Sequence, residues 1–415
     1  NVINCFVSGD EYFNWLHDAD GYTIIQSADG YYYYGTKQGD LVVPSQFRVN
    51  QVNPRAAGLQ KWVKISKLEY QRRKNLYTIN NDNNTSVTAP HLGTMNNVSI
   101  YIKFSGDTEF TTTRQTYDDL FNLTTGNSLK SYYNEVSYTQ FTISTTGYPV
   151  CAMTTNYSYT DTHPRSYFEP YNAATNPNGY SNENERTFRE HTLLHDAVVW
   201  VNANSPVPAG LNIDGDSDGA VDNVCFIVRG GNGAWASLLW AHRWALYSIP
   251  TYINGKRVWD YTFQPESQVD VQTLCHEMFH ALGAPDLYHY DDGGLNISPA
   301  SDWDLMESGG GHMGAYMKWK YSENTWIASI PEITASGTYT LQPLTSSTNN
   351  CYKIASLNSA SEFFVVEYRK ATGTFEGTLP GSGLVVYRID PSLDGNADGP
   401  PDEVYIYRPN GTATA

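Results

Sequence analysis

One stretch, HEMFHALGAPDLY from His276 to Tyr288, constrains this chain more than any other, because it sets two imidazoles and two carboxylates at intervals that suit a helix followed by a tight turn. Val271, Leu274, Cys275, Met278 and Leu282 recur at helical spacing and predict one buried stripe, with Ser267 and Asp270 as a capping box ahead of it. His276 and His280 lie off that stripe. Four residues apart, they project from the same side of the helix one turn apart, so both ring nitrogens can reach a single zinc ion at about 2.0–2.1 Å. Glu277, beside the first histidine, is placed to take a proton from water activated by the ion rather than to bind the metal. Gly283 can adopt the left-handed conformation that ends a helix, and Pro285 prevents the helix from resuming. That turn can bring Asp286 back as a third ligand, with His289 as the alternative. A chance HExxH on a surface helix is the competing reading, and it gives Gly283 and Asp286 no reason to be where they are.

The extended motif HExxHxxGxPDLY resembles the signature of the immune inhibitor A family of secreted bacterial metallopeptidases, whose catalytic domain is metzincin-like. The resemblance implies an α+β fold, catalytic zinc, protein or peptide substrates, and export to the outside of a bacterial cell, its surface or its periplasm. Metzincins also place a methionine turn beneath the metal, and DWDLMESGGG, Asp302 to Gly311, is similar to that turn with Met306 in the matching place. Ordinary core packing of Met306 is the competing reading. The chain departs from the metzincin pattern in two ways. The third ligand is Asp where His is commoner, which is expected for this family and makes the site more negative. Two residues beyond the methionine, where some metzincins carry a tyrosine that swings towards the zinc, stands Ser308. The oxyanion stabiliser is therefore unassigned, and Tyr316 is a candidate.

A second chemical signal is the loop DGDSDGAVD. Asp214, Asp216, Asp218 and Asp222 alternate oxygen ligands with small residues, and Gly219 permits the bend that wraps them around a hard cation. Cys225 stands where an EF-hand carries its twelfth-position glutamate, and a strand rather than a helix follows. This predicts an EF-hand-like calcium loop, against a solvated acidic turn. The pattern recurs in DGNADGPPDEV, where Asp394, Asn396, Asp398 and Asp402 offer a possible second, weaker calcium site with one charge fewer and a stiffer backbone at Pro400 and Pro401.

At 415 residues the chain exceeds a usual single core, so two or three domains are expected. A net charge of −17, with 26 basic against 43 acidic residues and no basic run, argues against nucleic-acid or anionic-membrane partners. No apolar run reaches the roughly 18 residues of a membrane helix. No signal peptide is visible, which suits a mature form cut after export. Cys5, Cys151, Cys225, Cys275 and Cys351 are too few and scattered for a disulfide framework. Cys275 on the buried stripe reads as a core residue, and Cys5 either caps the zinc in a latent enzyme or sits in a strand.

Residues 1–85 read as short strands joined by Asp-Gly and Gln-Gly turns, closing in a polar linker, Lys74 to Pro90, suited to processing. This unit resembles the family's propeptide, with Cys5, Asp10 and Glu11 as candidates to block the zinc, and an accessory sheet domain is the alternative. Residues 90–330 should form the catalytic domain, with a strand at Val98–Phe104, a backing helix at Thr187–Ala203 and a central apolar strand at Val224–Gly231. His191 and His195 on that helix share the spacing of metal ligands, but no Glu follows the first, which favours a structural role. Trp235–Trp244 is similar to a family segment near the cleft edge, where a strand can pair with substrate main chain and His242 either faces the cleft or supports its rim. Residues 331–415, with GTYTLQPL, CYKIASL, FFVVEYRK and GLVVYRID, predict a C-terminal antiparallel sheet or sandwich. The expected function is a secreted zinc endopeptidase in latent form, with one zinc and one or two calcium ions. The alternative is a calcium-stabilised binding or adhesion protein on an inactive protease-like scaffold.

Overall fold

A computed structural model describes residues 3–9, 13–27, 29–79, 89–231, 240–290 and 297–408. Asp10, Glu11, residues 235–239 of the Trp235–Trp244 segment and the 80–88 part of the linker lie outside the described residues. The architecture is α+β, divided between two compact units. The first contains Asn1–Val87, Val98–Arg114 and Gly147–Val269; the second contains Thr88–Asn97, Gln115–Thr146 and Asp270–Ala415. The units do not follow the boundaries expected near residues 85–90 and 330. The N-terminal strands fall into one unit with the first acidic loop, and the C-terminal sheet into one unit with the HExxH helix.

In the first unit, β1 (Phe6–Gly9), β2 (Asn14–His17), β3 (Thr23–Gln26), β4 (Tyr32–Gln38) and β5 (Leu41–Arg48) form a five-stranded antiparallel meander in sequence order. The turn glycines Gly30 and Gly39 take φ of +80° and +61°, conformations that a β-carbon disfavours. Tyr22, Ile24, Tyr34 and Val49 form a small core, and Cys5 packs against it. Burial raises the Cys5 thiol above its ordinary value, which favours the uncharged form over a metal-seeking thiolate. Helix α1 (Lys67–Ile79) takes in the start of the segment expected to be linker.

The same unit holds β6 (Gly93–Lys103) over Val98–Lys103, β8 (Tyr159–Thr160), β9 (Val224–Val228), β10 (His242–Ala245), the two-residue strands β11 (Tyr252–Ile253) and β12 (Lys256–Arg257), β13 (Asp260–Pro265) and helix α4 (Glu183–Asn204). β9 is buried at all five positions and runs parallel to both β6 and β13, as its unbroken apolar sequence requires. Leu193, Leu194, Ala197, Val198 and Val201 of α4 join Val98, Ile100, Val224 and Phe226 of the sheet in one core. His191 and His195 hold separate partners, Ser248 Oγ at 2.6 Å and Thr251 Oγ1 at 2.9 Å. His242 is buried, with Nε2 on Glu190 Oε1 at 2.9 Å and Nδ1 on the Trp240 carbonyl at 2.8 Å, so it serves the core.

The second unit combines Gly93–Asn97 of β6, α2 (Arg114–Asn122) from Gln115 on, α3 (Leu129–Val136), β7 (Phe141–Tyr148) as far as Thr146, α5 (Val271–Ala281), α6 (Ala315–Lys320) and a four-stranded antiparallel sheet. That sheet runs in the order β14 (Cys351–Ala355), β15 (Phe363–Arg369), β16 (Gly383–Ile389), β17 (Val404–Ile406). It is one sheet rather than a sandwich among the described residues. GTYTLQPL contributes only an isolated bridge at Pro343, a residue with no N–H to extend a ladder. Arg369 of β15 is fully buried, and its guanidinium binds Glu376 Oε2 at 2.9 Å and Oε1 at 2.6 Å, Glu367 Oε1 at 3.2 Å, and the carbonyls of Trp303 at 2.7 Å and His312 at 3.0 Å. These bonds make the C-terminal sheet part of the core beneath the Met306 segment. None of the five cysteines is in a disulfide.

Candidate metal centre

The helix that carries the two histidines starts at Val271, and Asp270 is its N-cap, accepting from Thr273 N at 3.0 Å. Ser267 lies one turn earlier in a 3-10 turn, Glu266–Gln268, so no capping box forms with it. Val271, Leu274, Cys275, Met278 and Leu282 are all buried. The stripe is fixed within the unit by Tyr133, whose hydroxyl donates to the Cys275 carbonyl at 2.7 Å, and by His91 against the Leu282 carbonyl at 3.1 Å. Gly283 ends the helix with φ +98°, in open space. Its N–H donates to the His280 carbonyl at 2.9 Å, and the chain turns.

That turn brings Asp286 to the histidines. His276 Nε2 lies 3.1 Å from Asp286 Oδ1, His280 Nε2 lies 3.3 Å from the same oxygen, and the two ring nitrogens are 3.1 Å apart. Each ring is oriented from its other side: His276 Nδ1 donates to the Leu305 carbonyl at 3.0 Å and His280 Nδ1 to the Ala284 carbonyl at 2.7 Å. With both Nδ1 hydrogens committed to carbonyls, the neutral rings present lone pairs at Nε2, and Asp286 Oδ1 is buried with no hydrogen-bond donor of its own. Three acceptors facing one another repel unless a cation sits among them. Tetrahedral ligands about 2.0–2.1 Å from zinc lie roughly 3.3–3.4 Å from each other, close to these spacings. The donor set of two imidazoles and a carboxylate therefore fits zinc.

The negative charge of Asp286, which would attract a metal ion, equally favours a proton on the neighbouring imidazoles. Burial lowers the His276 imidazole, but hydrogen bonding and charge from Asp286 outweigh it and leave the ring raised above its ordinary value. Burial likewise works to raise Asp286, and the imidazoles of His280 and His276 hold it far below the ordinary carboxylate range. Glu277 is 7 % exposed and stands outside the ligand cluster. Its charge is close enough to favour the charged form of His276.

The Met306 segment supports both sides of the centre. Leu305 supplies the carbonyl that fixes His276, and the carbonyl of Met306 accepts Leu287 N at 2.8 Å, just past Asp286. Met306 is fully buried, and its N–H donates to Asp304 Oδ1 at 2.9 Å. Burial pushes the Asp304 carboxyl up to about 6, against the Gly314 and Met306 N–H groups that bind its charged form. Ser308 bonds Asp302 Oδ1 at 3.0 Å. Tyr316 is not an oxyanion stabiliser, because it is fully buried and its hydroxyl donates to Glu403 Oε1 at 2.8 Å. His289 is not a ligand to this centre either; its Nε2 pairs with Asp402. Sequence reading missed Tyr290, whose hydroxyl donates to Asp286 Oδ2 at 2.5 Å and leaves Oδ1 towards the histidines. An aromatic hydroxyl four residues past the third ligand is the signal that was available.

In the first acidic loop, carboxylate oxygens of Asp214, Asp216 and Asp218 lie within 4.8 Å of one another. Asp214 is buried, and its Oδ1 has no hydrogen-bond partner. Lys256 Nζ contacts the other oxygen at 2.5 Å. Asp222 does not join the cluster; it turns inward to accept from Gly215 N at 2.9 Å. Burial, with added repulsion from Asp216, Asp214 and Asp218, pushes Asp222 up to about 7 despite the Gly215 bond. A bound divalent cation would relieve that crowding. The second loop is not assembled this way. Asn396 binds the Leu287 carbonyl at 2.9 Å and the Val404 carbonyl at 2.7 Å, and Asp402 pairs with His289.

A two-histidine, one-carboxylate centre on an HExxH helix, fixed from behind by backbone carbonyls, is the arrangement of a metallopeptidase. Residues 212–325 match the family described as immune inhibitor A peptidase M6, catalytic domain, and this part of the chain belongs to it. The match runs from the first acidic loop past Met306. No curated protein matches the chain.

Proposed function

We propose that this metallopeptidase is a secreted bacterial zinc endopeptidase whose first 85 or so residues keep it latent. The observation that carries the zinc assignment is the meeting of His276 Nε2, His280 Nε2 and Asp286 Oδ1, with each ring's Nδ1 turned away onto a backbone carbonyl. A bound zinc ion supplies Lewis acidity, which brings the pKa of water towards 7 and polarises a carbonyl oxygen. Glu277 takes the water proton onto its carboxylate as the scissile carbonyl is attacked, and returns it to the departing amine nitrogen. Met306 and the carbonyl of Leu305 act as the metzincin-like floor that holds His276 in place. Asp214, Asp216 and Asp218 are proposed to hold one structural calcium ion, with Asp222 shaping the loop from within.

Latency is supported by the seam between the N-terminal meander and residues 170–184. An open cavity of about 780 Å³ lies there, bordered by Trp15, Ile24, Tyr32, Arg72, Pro170 and Tyr180, beside a hydrogen bond from Arg186 to Asn14 Oδ1 at 3.1 Å, and a seam that is partly open suits a segment that departs after cleavage. Among the described residues, no helix is long and apolar enough to cross a membrane.

The test is Glu277→Ala in the full chain. Zinc content should be unchanged while casein hydrolysis, measured after limited proteolysis of the Asn80–Thr88 segment, disappears. Hydrolysis that persists in the zinc-loaded variant sinks the assignment. Activity that is identical before and after that cleavage removes the latency. Wild-type protein that fails to cut casein with or without chelator supports the inactive binding scaffold instead.

A further inference from the structure

The loop Asp394–Asp402 repeats the first acidic loop almost position for position but has different partners. Asp286 is the only ligand of the centre that lies outside α5, so something other than the helix must hold it. Its own backbone carbonyl accepts Asn396 N at 2.9 Å, and Tyr290 N donates to the Ala397 carbonyl at 3.1 Å. The fully buried Asn396 amide donates to the Leu287 and Val404 carbonyls and accepts Val404 N at 3.0 Å, so one side chain ties the segment after Asp286 to strand β17. His289 and Asp402 form a buried pair beside it. The approach is close: a β-carbon on Gly395, whose φ is +75°, would lie 2.6 Å from Pro285 Cβ and 2.7 Å from the Asp286 carbonyl oxygen. Asp286, Leu287, His289 and Tyr290 are thus each bonded directly to this loop.

We infer that Asp394–Asp402 is a clamp that positions Asp286 for the metal, and that it is not a second calcium site. The inference rests on the zinc reading of the centre. Asn396 and Asp402 are positioning residues acting through the backbone and His289, and Tyr290 completes the device by binding Asp286 Oδ2. Groups that orient a metal ligand typically affect metal affinity about 10–100-fold when removed. Asn396 Oδ1 is engaged with Val404 N and Asp402 Oδ1 with His289, so two of the oxygens that a calcium ion would use here already hold protein partners.

The experiment uses the full chain and four variants: Asn396→Ala, Asp402→Asn, Tyr290→Phe and Asp286→Ala. Zinc affinity is read by competition with a chromophoric chelator, ligand geometry by the visible spectrum of the cobalt(II) form, and calcium per chain by elemental analysis after dialysis. The inference expects Asn396→Ala and Tyr290→Phe to weaken zinc about 10–100-fold and alter the cobalt spectrum, with calcium per chain unchanged. Asp402→Asn should weaken zinc on the order of tenfold, also without loss of calcium. Should Asn396→Ala fail to fold, Asp402→Asn, which keeps the size and shape of its side chain, decides the role of the loop. Zinc affinity within twofold of wild type in the folded loop variants overturns the clamp, as does loss of one calcium in Asp402→Asn. If Asp286→Ala releases zinc while the loop variants do not, only the clamp fails. If Asp286→Ala leaves zinc binding untouched, the zinc reading fails with it.

Discussion

Replacing Arg369 by methionine should be the most damaging single change in the second unit. The guanidinium is fully buried and makes five hydrogen bonds, three to Glu376 and Glu367 and two to the carbonyls of Trp303 and His312. Removing one partner of a buried ion pair costs roughly 3–5 kcal/mol, because the stranded carboxylates keep their desolvation without the charge that offset it. Each orphaned carbonyl adds about 1 kcal/mol or more unless water reaches it. A total near 5 kcal/mol compares with a typical whole-domain stability of about 5–15 kcal/mol. At roughly 2–4 °C per kcal/mol for a unit of this size, the melting temperature should fall by about 10–20 °C. The assay is urea unfolding at pH 7 followed by near-ultraviolet circular dichroism, alongside a thermal melt. Glu376→Gln should then cost less in the Arg369→Met background than in wild type, with a coupling of about 1 kcal/mol or more. A fall below about 3 °C, or the same Glu376→Gln effect in both backgrounds, would show that the network does not hold this core. Zinc affinity should drop as well, since Trp303 and His312 flank the segment whose Leu305 carbonyl orients His276.

Three further outcomes can be measured directly. Lys318 is fully buried against His312 Nδ1 at 3.0 Å and Tyr138 Oη at 3.3 Å, and burial, with repulsion from Arg369 and against attraction from Glu376, Glu367 and Glu135, lowers it to about 7. The unfolded side chain titrates near 10.4, so between about pH 7 and 10 the folded state binds fewer protons and stability rises with pH, with no such slope below 7. Urea midpoints from pH 6 to 9.5 should show that rise in wild type and lose it in Lys318→Met; an unchanged slope in the variant assigns it elsewhere. Gly283→Ala meets no atom within 4 Å but must hold φ near +98°, so it should cost about 1 kcal/mol and leave zinc stoichiometry intact. A chemical-denaturation loss above about 3 kcal/mol would mean the space is not open. Asp216→Asn should abolish the calcium-dependent rise in melting temperature, a stabilisation of about 3–4 kcal/mol when calcium is 100–1,000 times its dissociation constant. A full calcium effect in that variant would remove Asp216 from the site.

The parts of this chain that were legible are those encoded by neighbouring residues. The stripe on α5, the left-handed Gly283 and the buried run of β9 each depend on periodicity or turn chemistry within a dozen positions. The errors came from partners far away in sequence. Tyr316 reads as a free hydroxyl until Glu403 is beside it, and Ser267 reads as a cap until Glu266–Gln268 closes its own turn. The two acidic loops show the same limit most sharply, because their patterns are similar while their proposed roles diverge. The residue that separates them is visible: Asn396 stands where the first loop has Asp216. A carboxylate only accepts hydrogen bonds, so a ring of Asp side chains with small neighbours asks for a cation. An amide donates and accepts at once, which lets Asn396 bind the carbonyls of Leu287 and Val404 while taking Val404 N. An NH2 group in place of one carboxylate oxygen thus suits this loop to holding peptide groups, where the proposed role of the first loop is to hold an ion. It does so beside the one proposed zinc ligand that α5 does not carry.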